Sequence, residues 1–149
     1  MNKRTPEGEA LTNLILETFR LNGEMLDAGN QLTKPLGLTS ARWQVMGAID
    51  LAGQPMTVAQ IARRMGLSRQ GVQRIVKDLE KLDMLILSAN LDHKRAPLVS
   101  LSEKGQDAME QVNAAQFEWV NRLAEGLSER DIEHALKVLQ SVRERSEKL

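Results

Sequence analysis

The sequence predicts a mostly α-helical chain of about six helices, interrupted once by a two-stranded β-hairpin. Three observations predict it. Apolar residues recur three and four apart through most of the chain, the spacing of one helix face. Ser/Thr caps and glycines cut that periodicity into helix-sized pieces. The stretch from Met84 to Leu101 alone loses the helical period, with two short apolar runs flanking a polar, charged tip.

Thr5-Pro6 reads as a helix start, an oxygen-bearing cap before proline at the first helical position. From there to about Leu32, Leu11, Leu14, Thr18, Leu21, Met25, Ala28 and Leu32 form a stripe that Ile15, Phe19 and Leu26 widen. Pro35 and Gly37 end it. A second helix fits Ser40 to Ala52, with Trp43, Val45, Met46 and Ile49 inward, closed by Gly53 and Pro55. Thr57-Val58-Ala59-Gln60 is a capping box that opens a third helix to about Met65. Gly66 caps that helix, and Ser68 caps a fourth, whose stripe is Val72, Ile75, Val76, Leu79 and Leu82.

Met84–Ser88 and Pro97–Leu101 read as the hairpin strands. Ser102 caps a long helix to about Leu123, with Met109, Val112, Gln116, Trp119, Val120 and Leu123 on its stripe. Gly126 breaks it. Ser128 then opens a last helix with Ile132, Ala135, Leu136, Leu139 and Val142 inward. Helix, glycine turn, helix and then a hairpin with a basic loop is the pattern of a winged helix-turn-helix.

Composition narrows the function. The 149 residues hold no cysteine and two histidines, His93 and His134. Disulfides, a thiolate zinc site and a thiol redox switch are thereby excluded, and a His-built metal site or catalytic triad is a poor fit. No apolar run approaches the roughly 18 residues of a membrane span, and no apolar stretch follows the basic start, so no signal peptide is expected. The expectation is a cytoplasmic, non-enzymatic protein without cofactor, since no phosphate loop or nucleophile-base pair is visible.

The net charge is zero, but it is unevenly spread. Between Ile61 and Arg95, eight Lys/Arg stand against four Asp/Glu, leaving +4 there and −4 elsewhere. A basic middle between acidic arms points to one anion-facing module. The fourth helix offers Ser68, Arg69, Gln70, Gln73, Arg74 and Lys77 off its apolar stripe. Gln and Arg match the two-pronged edges of A and G in the major groove, which an α-helix fits. Thr57 and Gln60 at the preceding helix start, and His93, Lys94 and Arg95 at the hairpin tip, complete the expected DNA-contacting set. The tip cations suit phosphates or a narrow minor groove. Gly71 costs the fourth helix about 1 kcal/mol against alanine. Its expected use is close backbone approach, to DNA or to the neighbouring helix. Phe19, Phe117, Trp119 and Leu139 are more apolar surface than a small core covers, and a second copy of the chain is the economical partner.

The runs Leu67-Ser68-Arg69-Gln70-Gly71-Val72-Gln73-Arg74, Leu79-Glu80-Lys81-Leu82, Asn90-Leu91-Asp92-His93-Lys94-Arg95 and Leu98-Val99-Ser100-Leu101-Ser102-Glu103-Lys104-Gly105 resemble the multiple-antibiotic-resistance regulator (MarR) family. In the hairpin, Arg95 matches the family's arginine and Leu101-Ser102 stands in for its Leu-Thr. His93 occupies the position of the family's aspartate, with Asp92 one place earlier, so the usual Asp-Arg brace of the wing is not matched residue for residue. The resemblance implies a single domain over 1–149. Within it, residues 5–36 and 102–149 would form an intertwined homodimer, and residues 38–101 a DNA-binding lobe. It also implies a repressor of a pseudo-palindromic duplex operator, released by a small aromatic effector in a cleft lined by Met25, Arg42, Trp43 and Met46. The rival reading is a winged helix that binds protein or RNA, which a basic face alone does not exclude.

Overall fold

The computed structural model describes residues 3–149; the first two residues of the expected domain lie outside the described residues. Among these there are six α-helices and one sheet. Their order is α1 (Pro6–Thr33), α2 (Ser40–Ala52), α3 (Val58–Met65), α4 (Arg69–Lys81), β1 (Leu85–Ser88), β2 (Leu98–Leu101), α5 (Glu103–Ala124) and α6 (Glu129–Ser146). The chain divides into two compact units, one ending at Asn113 and the other spanning Ala114–Leu149.

The boundaries follow the capping chemistry. Thr5 Oγ1 accepts from the Gly8 amide at 3.1 Å. Thr57 Oγ1 accepts from the Gln60 amide at 3.2 Å while Gln60 Oε1 accepts from the Thr57 amide at 2.9 Å, so both halves of the capping box form. Gly66 ends α3 at φ +65°, in the left-handed region that suits glycine. Ser68 Oγ then accepts from the Gly71 amide at 3.0 Å and starts α4.

In the first unit, Val45, Met46, Ile49, Ile61, Val72, Val76, Leu79 and Val99 are buried, so α2, α3, α4 and β2 share one core. The interior apolar faces of the helix-turn-helix are those the periodicity indicates. α1 joins this core at its C-terminal end. A Cβ on Gly29 would press on the Ser40 hydroxyl, which lets the two helices approach closely. Buried Thr33 donates to the Gly29 and Leu38 carbonyls at 2.8 and 3.1 Å, and Asn30 Oδ1 accepts from the Ser40 amide at 2.8 Å.

The hairpin is antiparallel, with Leu85 opposite Leu101 and Ser88 opposite Leu98. It gains a third partner that the sequence does not announce. Met56 and Val99 exchange amide-to-carbonyl bonds of 2.9 and 2.7 Å, which fastens the base of the wing to the turn before α3.

In the second unit, Gly126 (φ +80°) ends α5, and Ser128 Oγ accepts from the Asp131 amide at 3.1 Å to start α6. Ile132, Ala135, Leu136 and Leu139, expected inward, are exposed on this single chain, and Val142 is half-buried. Val120 and Leu123 on α5 are also exposed, as are Leu11, Ile15 and Phe19 on α1. These stripes are amphipathic as predicted, and among the described residues most of their apolar side chains stay exposed.

Candidate nucleic-acid interface

The start of α3, the outer face of α4 and the wing loop at Arg95–Pro97 enclose an open cleft of about 590 Å³. Thr57, Arg69, Gln70, Gln73, Arg74, Lys77 and Arg95, all singled out from the sequence, line it together with Val58, Ala59, Ala96 and Pro97. The helix period explains the convergence. Val72, Val76 and Leu79 face the core, which turns Arg69, Gln70, Gln73, Arg74 and Lys77 outward.

The electrostatics are one-sided. Four cations line the cleft and no carboxylate does. Among the described residues, no carboxylate lies within salt-bridge distance of Arg63, Arg64, Arg69, Arg74, Lys77, Lys94 or Arg95. Asp78, next to Lys77 in sequence, sits 3.9 Å from half-buried Arg42. The arrangement can hold an anion without first breaking an internal ion pair.

The other expected contacts lie elsewhere. Gln60 is exposed, but its side-chain oxygen is engaged in the capping box. The Ser68 hydroxyl oxygen is engaged by the Gly71 amide. His93 and Lys94 are exposed on the wing tip, outside the cleft lining. Gly71 does not serve close approach of a neighbouring helix, because a Cβ there would meet only the Ser68 hydroxyl, at 2.9 Å. The nearest atom is thus local to α4, in its own N-terminal cap.

The wing is braced by a residue that the reading of its charges passed over. Asn90 Nδ2 donates to the Ala96 carbonyl at 2.9 Å, and Asn90 Oδ1 accepts from the Asp92 amide at 3.1 Å. The Ala96 amide donates to the His93 carbonyl at 3.1 Å. Thus Asn90 ties both sides of the tip where the sequence resemblance implies an Asp-Arg pair, and Arg95 lines the cleft. The signal was present in Asn90-x-Asp92, a local turn former.

Of the expected effector residues, Met46 is fully buried in the core and Trp43 is half-buried against it. Met25 is half-buried on α1. Arg42 donates to the Gly37 carbonyl at 3.4 Å, besides its approach to Asp78.

Comparison with known proteins places this geometry. A family model described as MarR family matches residues 36–96. An uncharacterised Mycobacterium tuberculosis protein, Rv2011c, is 33% identical over 119 residues, covering 80% of this chain and 82% of its own length. The chain is similar in fold to AbsC, a MarR family transcriptional regulator from Streptomyces coelicolor. The TM-score is 0.81 at 18% identity, over 100% of both chains. It is also similar to the M. tuberculosis transcriptional regulator MosR, solved in complex with DNA. Here the TM-score is 0.73 at 17% identity, covering 89% of this chain and 96% of that one. The chain belongs to the MarR family of winged helix-turn-helix transcriptional regulators.

Proposed function

We propose that the protein binds a pseudo-palindromic DNA duplex as a homodimer and acts as a repressor. The observation that carries this reading is the cleft itself. Arg69, Gln70, Gln73 and Arg74 sit on an outward helix face beside Arg95 of the wing loop, with no carboxylate in the lining. Arg and Gln there suit the edges of G and A, while Lys77, Lys94 and Arg95 suit phosphates. MosR, with the same fold, was solved with DNA, which supports duplex DNA over RNA or an acidic protein.

Residues 38–101 form the reading lobe in this proposal, and residues 5–36 and 102–149 the dimerisation region. Support for a second copy comes from aromatic rings left in water. Phe19 on α1 is 69% exposed and Phe117 on α5 is 61% exposed. Exposed apolar rows on α1 and α6 add to them, and large exposed apolar surface of this kind marks an interaction face. Two recognition helices related by a two-fold axis read half-sites about 10 bp apart.

Selection of bound fragments from random duplex DNA tests the reading. The expected result is an inverted repeat with half-sites one helical turn apart. Absence of any duplex binding at low salt would overturn it in favour of the protein- or RNA-binding alternative. Release by a small aromatic effector near Met25, Arg42 and Trp43 is the finer part of the proposal. It is checked by whether phenol or benzoate lowers affinity for the selected duplex, with Arg42→Ala removing the response. Ligand and DNA binding are then linked reciprocally.

A further inference from the structure

Helix α4 does not end freely. After Lys81 the chain passes through Leu82 to Asp83, which is held at φ +59°, a left-handed conformation uncommon outside glycine. Three carbonyls of this reversal are taken up by the start of α5. Lys104 Nζ donates to the Leu82 carbonyl at 2.9 Å. The Ser102 hydroxyl donates to the Asp83 carbonyl, and the Ser102 amide donates to the Met84 carbonyl at 3.0 Å. The same hydroxyl accepts from the Gly105 amide at 3.0 Å, so one side chain both caps α5 and ties it to the end of α4.

Gly105 completes the joint. It is buried, and a Cβ there would overlap the Met84 carbonyl oxygen. Helix α5 therefore rests directly on the backbone that leaves α4. None of these residues lines the cleft.

We propose that Ser102, Lys104 and Gly105 are positioning residues for DNA reading, setting the tilt of α4 against α5 and hence sequence discrimination. The proposal rests on the reading that α4 enters duplex DNA. The lever is long: the 13 residues of α4 span about 20 Å, so a tilt of about 3° at its C-terminal end moves its first turn about 1 Å. Two-pronged bonds to a base edge fail under such shifts, because they need positioning to about 0.5 Å. Coulomb attraction to phosphates falls off only as the inverse of distance and survives them. Loosening the joint should therefore cost discrimination and leave non-specific affinity in place. The ammonium of Lys104 also sits at the negative end of the α4 dipole, the favourable end for a cation.

The test compares Lys104→Met with Lys104→Arg, and Ser102→Ala with Ser102→Thr, in the full chain. The readout is the ratio of affinities for a duplex recovered by selection and for random-sequence duplex, at one salt concentration. Lys104→Met and Ser102→Ala are expected to lower that ratio about two- to fivefold. Random-duplex affinity and dimer sedimentation stay unchanged, and Lys104→Arg and Ser102→Thr restore the ratio.

Because the sequence holds no cysteine, nitroxides at Glu80→Cys and Glu110→Cys label without background. With one labelled protomer diluted into excess unlabelled chain, the α4–α5 distance distribution should broaden in Lys104→Met and recover in Lys104→Arg. An unchanged ratio in Lys104→Met, or an equal loss in Lys104→Arg, overturns the proposal while wild-type DNA binding stands. A wild-type protein that binds no duplex overturns the DNA reading itself.

Discussion

Replacing Lys77 by alanine separates electrostatic contact from every other role of helix α4. Lys77 is exposed, lines the cleft, and has no carboxylate within salt-bridge distance among the described residues. Alanine is the better helix former, so the substitution does not weaken α4, and stability should move by less than about 0.5 kcal/mol. If each Lys77 neutralises one phosphate, removing it shortens the slope of log affinity against log salt by about 0.9. A homodimer loses two such contacts, a change of about 1.8. The advantage of wild type over Lys77→Ala then shrinks about 12-fold between 50 and 200 mM salt. Fluorescence anisotropy with a random-sequence duplex across that range measures both slopes. A change near 0.9 would indicate that one subunit alone touches the duplex at this position. Parallel lines with lower affinity would refute the phosphate role, since a neutral contact carries no counterion release, and coincident lines would remove Lys77 from the interface.

Three further outcomes follow from the same geometry. Arg74→Ala should cost about 1–3 kcal/mol on the selected duplex and far less on random DNA, measured as the ratio of the two affinities. Phe19→Asp places a charge on an aromatic position that is 69% exposed on the single chain, so sedimentation at micromolar concentration should shift from dimer toward monomer with helicity retained. Asn90→Ala removes both side-chain bonds that hold the wing tip, so amide exchange should rise across Asp92–Ala96 and duplex affinity should fall, with the thermal midpoint unchanged.

What could be read in advance was what local chemistry determines. Thr57 and Gln60 form their reciprocal caps, Gly66 turns left-handed, and Ser68 opens α4, because each outcome is decided within a few residues of the motif. The cleft was legible for the same reason: once Val72, Val76 and Leu79 point inward, the period of the helix decides that Arg69, Gln73 and Arg74 point out. Long-range packing left no such trace. Nothing around Met56 announces its pairing with Val99, and Gly105 looks like any glycine near a helix start until the Met84 carbonyl is placed against it. Gly71 is not explained by a neighbouring helix, since the atom nearest a Cβ there is the Ser68 hydroxyl one turn away. The apolar stripes of α1 and α6 were read correctly as amphipathic, but periodicity tells only that a face is apolar and not which chain covers it.

The zero net charge bears on how such a protein finds its site. Charges separated by more than about 8 Å are largely screened at physiological ionic strength, so a duplex entering the cleft feels mainly the groups that line it. There it meets Arg69, Arg74, Lys77 and Arg95, and the carboxylates that balance the total lie outside the lining. Far from the cleft, the compensating acids cancel the field, and little long-range steering remains. On the proposed reading this division would favour specificity: the acidic arms would weaken loose, off-register encounters with DNA, and attraction would become strong only when the cleft itself is seated. A chain of the same fold with added lysines outside the cleft should bind faster and discriminate less, because the extra cations act on any sequence in any register.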